Sequence, residues 1–165
     1  MILQTDRLVL RDLEIGDEAF ILELLTSRGF KENIGDRGVA DLEGAGGYIE
    51  RAQTGYASNG FGLWRVEIRA TGEVVGLCGL VKRDGLEHPD IGYAFLERFW
   101  GRGFASEAAA AVLKFGRNSV GLSTIVAITT SGNLSSIAVL KAIGMQDAGF
   151  IRLPGYDSDS RYFTT

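Results

Sequence analysis

The 165-residue sequence predicts a mixed α+β fold: a central sheet of six to seven strands, mostly antiparallel, with helices on both faces. Three observations lead to this prediction. Short alternating or β-branched runs recur along the chain and indicate strands. Three of these runs follow one another directly, which favours antiparallel pairing. A later strand is followed by a helix and then by another strand, and this order implies a crossover and one parallel pair.

The first third of the chain predicts one strand and two helices. Residues 7–11 alternate charged and apolar side chains, as in a strand with one buried face. Asp17 precedes an apolar helical face, so we expect its side chain to cap that helix. The face consists of Phe20, Ile21, Leu24 and Leu25. Residues 29–38 are rich in Gly, Asn and Asp and predict a loop. Residues 41–56 predict a second helix, weakened by Gly44, Gly46 and Gly47.

The middle of the chain predicts three strands and a helix. Residues 61–68 and 74–81 are strand-like runs joined by a five-residue turn that contains Gly, which is typical of a hairpin. Residues 90–95 predict the third strand. A helix over residues 105–117 follows, and its many alanines would let it pack closely against the sheet.

The last third of the chain predicts a strand, a short helix and two closing strands. Residues 124–129 are β-branched and indicate a strand. A helix over residues 135–143 is ended by a glycine. Residues 145–153 and 161–164 predict two closing strands. We see no repeat or linker, and we expect residues 1–165 to form a single domain.

Composition narrows the classes of function. Hydrophobic residues make up 45% of the chain and charged residues 23%, with a net charge of −4, as in an ordinary globular protein. This charge argues against nucleic acid as a partner. We find no signal peptide and no apolar run that crosses a bilayer, so we expect no membrane partner and a cytoplasmic location. One cysteine and one histidine argue against a zinc cluster, so no metal is expected.

Two glycines, Gly101 and Gly103, stand between the strand of residues 90–95 and the helix of residues 105–117. A helix N-terminus has unpaired N–H groups and a partial positive charge. A strand, a glycine turn and a helix start therefore indicate a phosphate site. The dinucleotide-binding fingerprint is excluded, because its third glycine and an all-parallel strand series are both missing.

Four segments, in this order and spacing, carry a resemblance to a known family. They are residues 5–11 (TDRLVLR), 75–80 (VGLCGL), 91–108 (from IGY to EA), and 133–136 (NLSS) with 140–145. Together they resemble the GCN5-related N-acetyltransferase superfamily, and within it the branch that acetylates ribosomal-protein N-termini. The resemblance implies that the strand of residues 90–95 splays from that of residues 124–129, so that a thioester reaches an amine between them.

The resemblance also implies a binding site for acetyl-CoA. Backbone N–H groups of the glycine loop would hold the pyrophosphate, and Ser106 would add a hydroxyl. The loop residues are Trp100, Gly101, Arg102, Gly103, Phe104 and Ala105. Trp100 replaces the usual Gln or Arg, and either covers the coenzyme or anchors the loop. The pantetheine arm would run beside Ile91, Tyr93 and Phe95, and Asn133 and Ser136 would contact it from the other side.

Catalysis by direct transfer in a ternary complex follows from the same resemblance. A base must take the proton of the attacking amine. Asp90 is our first choice, and Glu97 and His88 are alternatives. The backbone N–H of Tyr93 or of a neighbour would stabilise the oxyanion. Ser136 would protonate the leaving thiolate, since Leu140 stands where many members of the family have a tyrosine.

Several questions stay open at the level of sequence. The acceptor is a protein N-terminus, an aminoglycoside-like antibiotic, a polyamine or another small amine. An alternative function, a non-catalytic acyl-CoA sensor of the same fold, is suggested by the absent tyrosine. Dimers are common in this branch, so a homodimer is also considered.

Overall fold

The computed structural model describes residues 2–165 and confirms the mixed α+β class. The strands are β1 (Leu3–Gln4), β2 (Leu8–Arg11), β3 (Leu63–Ile68), β4 (Val74–Val81), β5 (Asp90–Phe95), β6 (Val126–Thr130), β7 (Gln146–Ile151) and β8 (Ser160–Thr164). They form one sheet in the order β1-β2-β3-β4-β5-β6-β8-β7. The sheet has one strand more than predicted, because the two-residue β1 is too short to show a sequence period.

Five α-helices flank the sheet. They are α1 (Glu18–Thr26), α2 (Arg28–Asn33), α3 (Leu42–Asn59), α4 (Phe104–Phe115) and α5 (Leu134–Ala142). Helix α4 covers one face, where the rings of Trp64 and Phe115 meet edge to face at 5.4 Å. The neighbouring residue Arg65 points to the opposite face and pairs there with Asp17, at the start of α1. No helix within residues 2–165 is long and apolar enough to cross a membrane.

Helix α2 lies in a segment that the sequence predicts to be a loop, so that prediction was wrong. The Ser27 hydroxyl accepts a hydrogen bond from the Phe30 N–H at 3.3 Å and caps the helix. The Phe30 side chain is buried in the core. Gly29 lies against the indole of Trp100, so closely that a Cβ there would be 2.8 Å from the ring. Distant contacts therefore stabilise a helix that has little local propensity.

Helix α3 is longer than predicted despite its glycines. A carboxylate oxygen of Asp41 accepts from the Gly44 N–H at 2.7 Å, and Gly60 ends the helix with a φ of +76°. Near its C-terminal end, the Tyr56 hydroxyl donates to the Leu63 carbonyl and accepts from the Leu13 N–H. Two caps and these tertiary bonds offset the low propensity of the glycines.

Asp17 stands at the N-cap position of α1, but its side chain makes no capping bond, contrary to our expectation. Its carboxylate instead accepts from the guanidinium groups of Arg11 at 2.9 Å and Arg65 at 2.7 Å. It also accepts from the Glu14 N–H at 2.8 Å. A buried carboxylate with two cationic partners ties β2, β3 and α1 together, and these charged bonds outweigh a single cap.

Candidate functional site

The sheet splits between β5 and β6. These strands are parallel, and they pair only at Asp90 and Val126, where the Val126 N–H donates to the Pro89 carbonyl at 3.0 Å. Beyond this pair the strands diverge, and a cavity of about 830 Å³ opens along β5. Residues from α2 and α3 line one part of it, and the N-terminal ends of α4 and α5 line another. The one splayed parallel pair is thus the structural origin of the site.

The free edge of β5 presents backbone groups to this split. The Leu96 N–H donates to the Val75 carbonyl at 2.9 Å, and the β4–β5 register has no bulge. Backbone groups alternate in an antiparallel ladder, so those of Tyr93 and Phe95 face the split instead. In the parallel pairing of Asp90 with Val126, the N–H of Ile91 points to β6 and is used in that pairing, so it is not free for a ligand. The free edge therefore begins at Tyr93.

The glycine loop follows β5 and leads directly into α4. Gly101 and Gly103 have φ angles of +74° and +79°, a region that favours glycine. Gly103 occupies the N-cap position, so no side chain caps α4. The first intrahelical bond runs from the Glu107 N–H to the Gly103 carbonyl, which leaves the N–H groups of residues 104–106 without helical partners. An open helix terminus of this kind binds anions.

Arg7 braces this loop from the opposite end of the chain, a role that our sequence reasoning missed. Its guanidinium donates to the Arg102 carbonyl at 2.9 Å and to the Glu107 carboxylate at 3.3 Å. It also stacks over the Phe104 ring at 4.6 Å, while the Thr5 hydroxyl donates to Glu107. Residues 5–11 include both Thr5 and Arg7, but no sequence signal near them shows that they contact α4.

Trp100 links the glycine loop to its surroundings. The indole Nε1 donates to the Phe95 carbonyl at 2.8 Å, and the ring lies against Gly29 of α2. The neighbouring Glu97 carboxylate accepts from the Gly29 N–H at 2.9 Å. Trp100 thus anchors the loop to β5 and α2, although 51% of its surface stays exposed.

Tyr93 and Ser136 meet across the split. The phenol oxygen lies 2.9 Å from the Ser136 Oγ and donates to the Ser136 carbonyl at 3.1 Å. Asn133 caps α5 by accepting from the Ser136 N–H at 3.2 Å, which leaves its amide nitrogen free of this bond. Burial raises the pKa of Tyr93 to about 12, so its hydroxyl stays protonated and can donate. The sequence predicted a role for the Tyr93 backbone, and the structure adds its side chain.

Asp90 lies in the same cavity, on the other face of β5. Tyr93 is opposite Cys78, which is opposite Trp64, so the Tyr93 side chain lies on the same α4 face as Trp64. Side chains alternate along a strand, so Asp90, three positions earlier, lies on the opposite face. Asp90 is 1% exposed and lies 3.4 Å from the Arg83 guanidinium, and its Oδ1 has no hydrogen-bond partner. Burial raises the pKa of Asp90 to about 6, and Arg83 opposes the shift.

The structure does not bring the alternative bases into this cavity. Glu97 is engaged with the backbone of α2. His88 lines a separate pocket beside Phe61 and Leu86. Of the three candidate bases, Asp90 is the one that lines the split.

Comparison with known proteins agrees with this geometry. The model of the acetyltransferase (GNAT) domain matches residues 7–146. The protein YkkB of Bacillus subtilis, itself uncharacterized, is 35% identical, over 91% of this chain and 88% of its own. The uncharacterized N-acetyltransferase YoaA of the same organism is 29% identical, over 99% and 93%.

Two solved structures share the fold. A ribosomal-protein-S5-alanine acetyltransferase from Vibrio fischeri superposes with a TM-score of 0.82 at 16% identity, covering 99% of this chain and 94% of that one. RimJ of Mycobacterium smegmatis, solved with CoA-disulfide, has a TM-score of 0.82 at 20% identity, covering 96% and 81%. At these identities the likeness concerns the fold, which is that of the branch the sequence resembles. The match of the domain model over most of the chain establishes more: this chain belongs to the GNAT acetyltransferase family and is an acetyl-transfer enzyme.

Proposed function

We propose that this enzyme transfers the acetyl group of acetyl-CoA to a primary amine by direct attack in a ternary complex. The observation that carries the proposal is the free edge of β5, which leads through Gly101 and Gly103 to the uncapped start of α4. An extended chain with two amides, ending in a pyrophosphate, fits this sequence of groups. RimJ, which has the same fold, was solved with a CoA derivative.

The proposed coenzyme site consists of residues that the sequence analysis predicted. N–H groups of residues 101–106, together with the Arg102 guanidinium, would bind the pyrophosphate. The backbone groups of Tyr93 and the Phe95 N–H would pair with the amides of pantetheine, as an added strand does. The carbonyl of Phe95 is already bonded to Trp100, so it is not offered to the ligand. Ile91 would contribute its side chain, since it also lines the cavity.

Asp90 is the proposed general base. A base with a pKa near the working pH transfers protons most effectively, and burial brings the pKa of Asp90 to about 6. Its Oδ1 lies 3.4 Å from the Arg83 Nε but accepts no hydrogen bond, so it can accept one from an incoming ammonium. This feature also favours catalysis over the sensor alternative, because a sensor has no use for a buried proton acceptor.

Stabilisation of the reacting thioester would come from the free edge of β5 and from Ser136. As the amine attacks, the Tyr93 N–H is a donor for the carbonyl oxygen, which becomes an oxyanion. When the C–S bond breaks, the Ser136 hydroxyl would give its proton to the thiolate and take up the second proton that the nitrogen loses as it becomes an amide, so that no alkoxide remains. Tyr93 orients Ser136 through the 2.9 Å bond between their oxygens. The cavity takes residues from α2 through β8, so we propose that residues 1–165 act as one catalytic domain.

Two measurements test this function. Calorimetric titration with acetyl-CoA is expected to show binding at one site, and a thiol-release assay with a panel of amines is expected to show turnover with at least one amine. Absence of acetyl-CoA binding would contradict the proposed site. Tight binding without thiol release on any amine would contradict catalysis and favour the sensor.

A further inference from the structure

We infer that the acceptor is a small amine that also carries an anionic group, of which a carboxylate is the simplest. The inference rests on the proposed function and concerns the acceptor half of the same cavity, which is the part lined by α2 and α3 and by Arg37, Arg83 and Asp90. The charged side chains that line the cavity within residues 2–165 are Arg37, Arg83 and Asp90. Asp90 is the proposed base, and the two charged side chains that remain are both positive. The site therefore has an excess of positive charge where the amine must enter.

Arg83 lies in the acceptor half, between Asp90 and Tyr156. Its guanidinium lies 3.4 Å from Asp90, and Nη1 donates to the Tyr156 hydroxyl at 3.2 Å. When Asp90 takes the proton of the attacking amine, its carboxylate becomes neutral. Arg83 then loses its anionic neighbour inside a low-dielectric cavity, where an unpaired charge is costly. An anionic group on the acceptor would supply the missing partner during that step.

Arg37 lies on the loop between α2 and α3, and the carboxylates beside it bond to the backbone. An oxygen of Asp36 accepts from the Gly38 N–H at 2.7 Å, and one of Asp41 accepts from the Gly44 N–H at 2.7 Å. Neither Asp36 nor Asp41 lines the cavity. Arg37 is exposed, lines the cavity and makes no salt bridge in the described chain, so its guanidinium is available to a ligand.

Tyr48 of α3 lines the same cavity as the two arginines. Burial raises the pKa of its hydroxyl, and Arg37, Arg51 and Arg83 oppose that shift. The phenol therefore stays protonated and offers a further hydrogen-bond donor to a carboxylate in this cavity.

This arrangement discriminates among the acceptors left open by the sequence. A polyamine or an aminoglycoside brings several positive charges, which two arginines repel. An α-amino acid brings one amine for Asp90 and one carboxylate for the arginines. The net charge of −4 gives the opposite expectation, but the local charges in the cavity decide which ligand binds.

Matched acceptors test the inference directly. We would measure thiol release with a series of L-amino acids, the primary amides of the same amino acids, spermidine and kanamycin. The best amino acid is expected to exceed its own amide at least tenfold in kcat/KM, and both polycations should be poorer than the amino acid. Preference for an amide or for either polycation would overturn the inference while leaving acetyl transfer intact.

Arg37→Gln provides the second arm, with Arg51→Gln as its control. Arg51 is an exposed cation on α3 that also acts on Tyr48 but does not line the cavity. Arg37→Gln should raise the KM for the amino acid about tenfold, the loss expected for one charge-assisted pair, and should leave the KM for acetyl-CoA unchanged. Equal effects on both substrates would place Arg37 at the coenzyme and would contradict our inference.

A binding measurement separates this inference from the proposed function. N-acetyl-amino acids should bind the enzyme saturated with free CoA, and their primary amides should bind at least tenfold more weakly. Failure of the N-acetyl-amino acids to bind, with CoA bound normally, refutes the acceptor class alone. Failure of CoA itself to bind refutes the site on which both proposals depend.

Discussion

At the scale of single residues, the burial of Asp90 has a measurable consequence for pH dependence. The pKa of its carboxyl is raised to about 6, so the base form accumulates as the pH rises through that value. We expect kcat/KM, which reports the ionisation of the free enzyme, to rise between about pH 5 and pH 7 as Asp90 loses its proton. Asp90→Asn should lower kcat/KM by about 100-fold or more and should abolish that acidic limb.

The control for this variant is Asp84→Asn, which removes the same charge from an exposed position in the loop before β5. It should keep both the rate and the limb. Stability gives an independent readout, because a carboxyl with a raised native pKa contributes stability at low pH that is lost as the pH rises through about 6. The free energy of unfolding of the wild type should therefore fall as the pH rises toward about 6, and that of Asp90→Asn should lack this fall. An acidic limb that persists in Asp90→Asn would assign the base to another group.

Tyr93 and Ser136 lead to a second prediction. Ser136→Ala removes the proposed proton donor, and Tyr93→Phe removes the hydroxyl that orients it, without changing the β5 backbone. Each variant should lower kcat by about tenfold or more, with the KM for acetyl-CoA within about twofold of wild type. The double variant should be little worse than Ser136→Ala alone, because the two residues act as a unit. Additive losses would show that Tyr93 acts independently.

The sequence could nominate residues but could not give their partners. Tyr93 and Ser136 were predicted from motif positions, and Asp90 was predicted as a carboxylate that flanks the coenzyme strand. The bond between the Tyr93 hydroxyl and Ser136 depends on the angle at which β5 and β6 diverge, and no local signal encodes that angle. Arg7 was missed for the same reason, because its partners lie about 100 positions away.

At the scale of elements, the start of α4 gives the sharpest test of coenzyme binding. Gly103→Glu would place a carboxylate beside the proposed pyrophosphate site and should lower acetyl-CoA affinity by at least 100-fold, measured by calorimetry. Any side chain at a φ of +79° is also strained by about 1–2 kcal/mol. Gly103→Ala shares this strain without the charge, so it is the matched control.

The difference between the two variants isolates electrostatics from backbone strain. Gly103→Ala should lose some stability and bind acetyl-CoA within about tenfold of wild type. Its Cβ would lie 3.3 Å from the Arg7 guanidinium, whose flexible end can move. Equal loss of affinity in both variants would show that the loop conformation, and not its positive potential, controls binding. Wild-type affinity in Gly103→Glu would refute the placement of the pyrophosphate.

Elements with strong periodic or β-branched signals were predicted well, and those stabilised from a distance were not. Strands β4 and β5 have the predicted bounds because β4 is a continuous run of apolar residues and glycines, and β5 contains no charged residue after Asp90. Helix α2 was missed because it depends on the contact of Gly29 with Trp100, and α3 was underestimated because its caps and the bonds of Tyr56 are tertiary features. Both helices border the acceptor half, which explains why acceptor specificity was the least predictable property.

At the scale of the whole molecule, the sheet consists of two halves joined at one residue pair. Strands β1 to β5 form one half, and β6, β8 and β7 form the other. Asp90 and Val126 make the single strand pairing between them in the described chain. The proposed base thus stands at the apex of the split, where the two halves meet and near which the proposed function places the thioester. The same geometry that opens the site also concentrates its chemistry at one end.

Acetyl-CoA bound in this split would contact both halves and should stabilise them together. A ligand that binds only the native state, at about 100 times its Kd, adds about 2.7 kcal/mol to the unfolding free energy. For a chain of this size each kcal/mol raises Tm by about 2–4 °C, so differential scanning calorimetry should show an increase of about 5–10 °C. Gly103→Glu, which should bind poorly, provides the control and should show almost no increase at the same concentration. A single transition shifted as a whole is the expected result, whereas two transitions, only one of which shifts, would place the ligand within one half and contradict the proposed position in the split.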